Sequence, residues 1–470
     1  MLSACDNATE PQSAAALSED PANPNLAELA GEARAEVIPG SIDDVFLQLA
    51  ARYSGFAGVH EDSEGRLVIA SSSPDEAEGK ERAIIDEMLS LMYVSERMEE
   101  AYRSKDVSVQ GVTYDFAELA AFKVIVGRDA LEDLPIVSLD IDKQANTLTL
   151  GIDEAAGADV GEIERSLGRL GIPSEAVSLS EVPAPRFAAE PSDAGSSLAS
   201  TVSSAGASQI SLLTDYVRPI AGGLKVGSNG ACSLGIPLWY GSPGNQTRGF
   251  LLASHCTTFV GTNNGSTWGQ PTLASGTIGA EFEDPPLTGC TSGPAYCDLT
   301  DVALVDLYSS HDNSSMTATG HVYLTDFSST SGTGGFTVTG PPVFLSPRSP
   351  IMGASVNKMG KQSGWTTGQI TNTCVDKFPT VVHPDGVARK TRLPCHIQTN
   401  VPVRVGDSGG LLFTLIYDPD PESGGFLGIT STCSGCSPTY STNTASFVSW
   451  ASIRNALTNP VSLVEDSGGP

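Results

Sequence analysis

Residues 404 to 413 read Arg-Val-Gly-Asp-Ser-Gly-Gly-Leu-Leu-Phe. Around Ser408 the glycines at 406, 409 and 410 permit tight backbone angles and leave no side chain over the hydroxyl. That is what a nucleophilic serine needs. The amides of Gly406 and Ser408 are expected to point into one small space and form an oxyanion hole. The core of the motif recurs at Asp466-Ser467-Gly468-Gly469, but Glu465 replaces the first glycine and no chain follows to build a strand. Ser467 therefore reads as part of a frayed tail. A base for Ser408 stands upstream in Gly-Phe-Leu-Leu-Ala-Ser-His-Cys-Thr, residues 249 to 257, an apolar strand ending in His255. One imidazole nitrogen must reach the serine hydroxyl while the other donates to a carboxylate. Asp298, Asp301 and Asp306 compete for that role, and Asp301 opens the apolar run Val302-Ala303-Leu304-Val305.

The order His, Asp, Ser is that of chymotrypsin rather than of subtilisin or the α/β-hydrolases. Three further pieces accompany it: Cys232-Ser233-Leu234-Gly235, Trp365-Thr366-Thr367-Gly368 and Ile397-Gln398-Thr399-Asn400-Val401. Over residues 218 to 455 the chain thus resembles the chymotrypsin-type serine proteases, in their bacterial streptogrisin and α-lytic protease branch. The resemblance implies a double six-stranded β-barrel, a His255, Asp301, Ser408 triad, polypeptide substrates and no cofactor. It selects Asp301 over its two rivals, and it bridges Cys232 to Cys256 beside the histidine. It also makes Gly428 to Cys433 the edge that pairs with substrate, so that Ser431, Thr432 and Cys433 bind it and Ser431 adds a hydrogen bond near Asp301. Val403 would face the specificity pocket, whose base holds no acid, so an apolar P1 residue (on the acyl side of the cut bond) is expected. The chain departs from the branch at Pro402, where a cysteine bridged to the loop near Cys436 is usual, and at Cys433, which replaces a glycine.

The elements that must position these residues have an all-β texture from Arg218 to Trp450, with short Val, Thr, Leu and Tyr segments between Gly, Pro, Ser and Asn turns. Ser449 to Leu457 reads as a closing helix. Eight of the nine cysteines lie after residue 231, which indicates disulfides and an exported protein. Besides the bridge already named, Cys290 with Cys297, Cys374 with Cys395 and Cys433 with Cys436 are the expected pairs. A metal at Cys433 and Cys436 is not expected, because no second Cys or His pair at zinc spacing accompanies them.

The formal net charge is −29, but it is uneven. Residues 1 to 200 hold 38 acidic and 14 basic side chains, and the remaining 270 hold 17 and 12. The acidity speaks against a nucleic-acid partner. No apolar run is long enough for a transmembrane helix. Leu2-Ser3-Ala4-Cys5 resembles the end of a lipoprotein signal, so a lipidated Cys5 tethering the chain to a membrane is an expectation, with residues 1–37 as that start and a flexible tether.

Residues 38–182 read as an α+β domain. Its expected pieces are a helix from Asp43 to Tyr53, two strands around a Ser-Glu-Gly turn, and one longer helix marked by Ile84, Ile85, Met88, Leu89, Met92 and Met98. A β-β-α-β run, with strands Ile136 to Ile141, Thr147 to Ile152 and Ala176 to Leu179, completes it. By resemblance it is the protease's own pro-domain. Residues 183–217 read as an Ala, Ser and Pro-rich linker, 218–460 as the protease domain and 461–470 as a tail. The remaining histidines, His60, His311, His321, His383 and His396, read as surface, strand or turn residues. The expected activity is that of an exported serine endopeptidase made as a zymogen. The alternative is a catalytically silent surface lipoprotein that uses the fold as a binding module.

Overall fold

The computed structural model describes residues 26–131, 133–188, 212–228, 230–289, 297–326, 337–383, 385–417, 421–437 and 444–464. The chain is mainly β, with an α+β region at its N-terminal side. Eight short strands, from Lys225–Gly227 to Val461–Ser462, form one sheet around an apolar cluster that includes Phe250, Trp268, Val305 and Leu411. Six longer strands close a ring: Ser355–Gly360, Gly364–Lys377, Ala388–Thr399, Ala445–Ser449, Pro421–Cys433 and Leu411–Tyr417. The ring closes because Ala388–Thr399 pairs with both Gly364–Lys377 and Ala445–Ser449. The short helix Trp450–Ala456 follows, capped by the Ser449 hydroxyl.

This ring does not stop at six strands. The far end of Gly364–Lys377 offers its backbone to the N-terminal region, where Asp376 pairs with Leu139 and Lys377 with Ser138. The antiparallel pair Ile136–Asp142 and Thr147–Asp153, and then the parallel strand Val177–Val182, extend the sheet. The β-β-α-β run is as expected, with Val160–Arg169 as its helix. Its apolar residues share a cluster with Ile370, Phe378, Ile397, Val401 and Phe447 of the ring. Beneath the junction lies Lys143, fully buried, with Asp43 at 3.1 Å and Asp140 at 3.5 Å.

Four expectations change. The long helix is two, Glu81–Leu91 and Glu96–Arg103. Between them the Tyr93 amide donates to Ser349 Oγ at 2.9 Å and its carbonyl accepts from the Ser349 amide at 2.8 Å, so a tertiary contact takes groups the helix would have used. Phe116–Asp129, a helix the periodicity conceals, is apolar nearly all round because sheet and helices cover it on several sides. The tether is helical over Leu26–Glu36, with Leu29 and Ala33 buried. Lastly, the supposed linker is structured at both described ends. Arg186–Phe187 is a strand, and Leu213 is fully buried.

Candidate active site

His255 sits where the strand Thr247–Leu252 gives way to a single turn, Ser254–Cys256. That strand pairs with Ala303–Leu307, Leu252 opposite Ala303, so the end of one strand meets the start of the other. Asp301 lies just before the second strand and is therefore delivered beneath the histidine. The His255 amide donates to Asp301 Oδ1 at 2.9 Å, and Nδ1 lies 2.7 Å from Oδ2. Because an ionised carboxylate only accepts, this contact puts the proton on Nδ1 and leaves Nε2 free to accept. Nε2 is 2.7 Å from Ser408 Oγ. The Ser431 hydroxyl donates to Asp301 Oδ2 at 2.6 Å. Burial alone would raise the Asp301 carboxyl, but the imidazole charge and these hydrogen bonds hold it below the ordinary carboxylate range.

Asp298 and Asp306 are engaged elsewhere, Asp298 with the Arg392 guanidinium at 2.7 Å and Asp306 with the Tyr240 hydroxyl at 2.6 Å. Cys256 is bridged to Cys232, which ties the histidine turn to the strand Ala231–Ser233. Cys374 pairs with Cys395 and Cys433 with Cys436. Cys297 is disulfide-bonded, and Cys290 lies outside the described residues, as do Cys5 and Ser467.

Ser408 rides a turn that tolerates little else. Gly409 has φ +81°, and a Cβ there would meet the Ser233 carbonyl at 2.4 Å. The Ser408 carbonyl accepts from the Ser233 amide, and the Gly409 amide donates to Thr430, both bonds pinning the turn between neighbouring strands. Asp407, fully buried, anchors it from below. Its oxygens accept from the amides of Arg404, Gln362 and Ser363, from the Ser363 hydroxyl, and from Lys358 Nζ at 3.1 Å. Burial would raise Asp407, and the Lys358 charge with these donors holds it down. Lys358 itself is pushed below the usual range, chiefly by burial.

The segment Gly428 to Cys433 is occupied. Phe187 pairs with Thr432 and Arg186 with Cys433, antiparallel. The Ala188 amide donates to the Ser431 carbonyl at 3.2 Å, and the Ala188 carbonyl accepts from the Gly406 amide at 2.5 Å. The Phe187 ring lies flat on His255, centroids 4.2 Å apart and planes within 9°. Val403 is fully buried.

Neither Lys358 nor residues 186 to 188 were expected here. Lys358 stands in the mixed strand Ser355–Gly360 with Lys361 close by, and its spacing from Asp407 carries no signal. Arg186-Phe187-Ala188 is distinguishable only as an aromatic inside a small-residue stretch. The other histidines stay out of the triad: His60 lies in the strand Phe56–Glu61 and His383 at a turn closed by the Gly386 amide, both as read, whereas His396 lies in the strand Ala388–Thr399, and all three are buried. His396 is driven down to about 4 by burial. Among the described residues no cluster of three or more His, Cys, Asp or Glu is placed to hold a metal, and no helix is long and apolar enough to cross a membrane.

No protein-family model matches the chain, and no curated protein matches it either. Among solved structures it is similar to Thermobifida fusca protease A, at 19% identity, TM-score 0.32, over 52% of this chain and 98% of that one. It is also similar to a Nocardiopsis protease, at 20% identity, TM-score 0.33, over 52% and 98%. A third is Cellulomonas bogoriensis chymotrypsin, at 22%, TM-score 0.32, over 52% and 98%. At such identity and overlap a likeness assigns no activity.

Proposed function

We propose that the chain is a serine endopeptidase made with its own N-terminal inhibitor and folding partner, residues 26 to 188. The observation that carries this is the line of contacts from Asp301 through His255 to Ser408, at 2.7 Å on each side of the ring. In the reaction Ser408 Oγ attacks the substrate carbonyl while its proton passes to His255 Nε2. Asp301 stabilises the imidazolium that forms and keeps the ring oriented. The Gly406 amide, with that of Ser408, receives the charge on the carbonyl oxygen. His255 then returns the proton to the leaving amine, and water resolves the acyl-enzyme by the same steps in reverse.

Export to an oxidising compartment fits the three bridges, and a lipid on Cys5 remains part of the proposal. The test is a serine-directed fluorophosphonate on the full-length protein after it has processed itself. Label is expected on Ser408, lost in Ser408→Ala and unchanged in Ser467→Ala, with turnover falling by around a million-fold when the nucleophile goes. A folded, disulfide-intact protein freed of residues 26 to 188 that takes no label would instead be a silent binding module.

A further inference from the structure

We infer that residues 186 to 188 lie in the cleft as the acyl side of a substrate, that the bond after Ala188 is the maturation bond, and that the enzyme prefers substrates with a small P1 residue preceded by an aromatic. This rests on the endopeptidase reading above.

Three contacts fix the register. The Ala188 carbonyl points at the Gly406 amide, where the oxyanion forms, and its amide is held by Ser431. Arg186 and Phe187 continue antiparallel along Cys433 and Thr432. Ala188 is therefore P1 and Phe187 is P2. Attack by Ser408 on the Ala188 carbonyl carbon forms an ester and breaks the bond to the amide nitrogen of residue 189, which leaves as an amine with the proton from His255. Water then releases Ala188 as a carboxylate.

Ala188 is fully buried, in the large apolar cluster that also includes Val403, Val405, Cys433 and Cys436. The Cys433–Cys436 bridge closes the end of the strand that pairs with Arg186, and the Val405 amide donates to the Ser437 carbonyl at 3.4 Å. Extra methylenes on residue 188 would have to displace the groups that bury it. P2 selection has a separate source, the Phe187 ring stacked on His255. This narrows the apolar P1 expected from the sequence, since aromatic residues pass to P2.

The experiment has two arms. Full-length protein is incubated and the new N-terminus is read by mass spectrometry, with a start at residue 189 expected. The processed enzyme is then assayed on acetyl-Arg-Phe-Ala-p-nitroanilide against the Arg-Phe-Phe, Arg-Phe-Arg and Arg-Ala-Ala analogues. Expected kcat/KM is about tenfold or more higher for Ala than for Phe or Arg at P1, and roughly two- to tenfold higher for Phe than for Ala at P2. A first cut elsewhere, or equal or better turnover with Phe or Arg at P1, overturns the inference. If Ser408 nevertheless takes fluorophosphonate, the endopeptidase reading stands; absence of both label and turnover sinks the two together.

Discussion

A carboxyl group that the catalytic motifs do not include sits below the histidine turn. Asp284 is 5% exposed, and its Oδ2 accepts from the Thr257 hydroxyl at 3.2 Å. Burial pushes it up to about 7, helped by the charges of Glu281 and Asp301 and opposed by hydrogen bonds from Ser254 and Thr257. A carboxyl raised in the folded state favours folding while it stays protonated. Its contribution is complete below the unfolded value near 3.8 and is lost as pH rises through about 7. That span corresponds to at most about 4 kcal/mol. Asp284→Asn cannot ionise, so relative to the parent it should gain stability in urea unfolding between pH 4 and pH 8. An equal difference at both pH values would mean the carboxyl does not titrate in this window. At the same scale, the fully buried Lys358 pairs with Asp407 at 3.1 Å and balances its charge beneath the Ser408 turn.

At the scale of elements, the long strand Gly364–Lys377 does two jobs. One end pairs with Ser355–Gly360 inside the ring, and the other pairs with Ile136–Asp142 of the N-terminal region. An exposed strand end is a template for further pairing, and here the chain itself covers it. The helix Phe116–Asp129 backs the added strands and is fixed by a capping box. Asp115 Oδ1 accepts from the Glu118 amide and Glu118 Oε2 accepts from the Asp115 amide, each at 2.9 Å. Asp115→Ala should cost about 1 kcal/mol of stability by urea unfolding. Asp115 leaves with the N-terminal region on maturation, so kcat/KM of the processed enzyme should equal that of the parent; a changed kcat/KM would contradict this division of labour.

Over the whole molecule, the apolar cluster that stabilises the N-terminal region is also the core of one side of the ring. Leu29, Phe116, Ile136 and Leu150 share it with Ile370, Ile397, Val401 and Phe447. A chain starting at residue 189 would leave that face to water, and long-range sheet pairing is slow to form without a template. Expressed alone it should fold poorly. Adding residues 26 to 188 as a separate chain should restore folding and, after removal, peptidase activity. Adding only 38 to 182, which lacks the helix Leu26–Glu36 and the strand Arg186–Phe187, should restore less. Equal, fast folding of the 189 chain with no partner would refute the template role.

Local chemistry is what the sequence by itself determined. Ser408 and His255 stand in motifs whose glycines and strand ends carry their own physical meaning, the Cys232–Cys256 bridge is what the resemblance implies, and the β texture after Arg218 follows from short branched runs between turn residues. Cys232–Cys256 joins a strand to the histidine turn, Cys374–Cys395 joins two paired strands, and Cys433–Cys436 closes a short loop. What only the tertiary structure decided is everything that depends on contacts between distant segments. Lys358 finds Asp407 across 49 positions, and Ala188 finds Gly406 across 218. A helix buried on many faces loses its stripe, and the one expected to be long was cut at Tyr93 by Ser349. Periodicity reports which face of an element is buried. It does not report what the element is buried against, and here the strand Pro421–Cys433 is covered by residues 186 to 188 of the same chain.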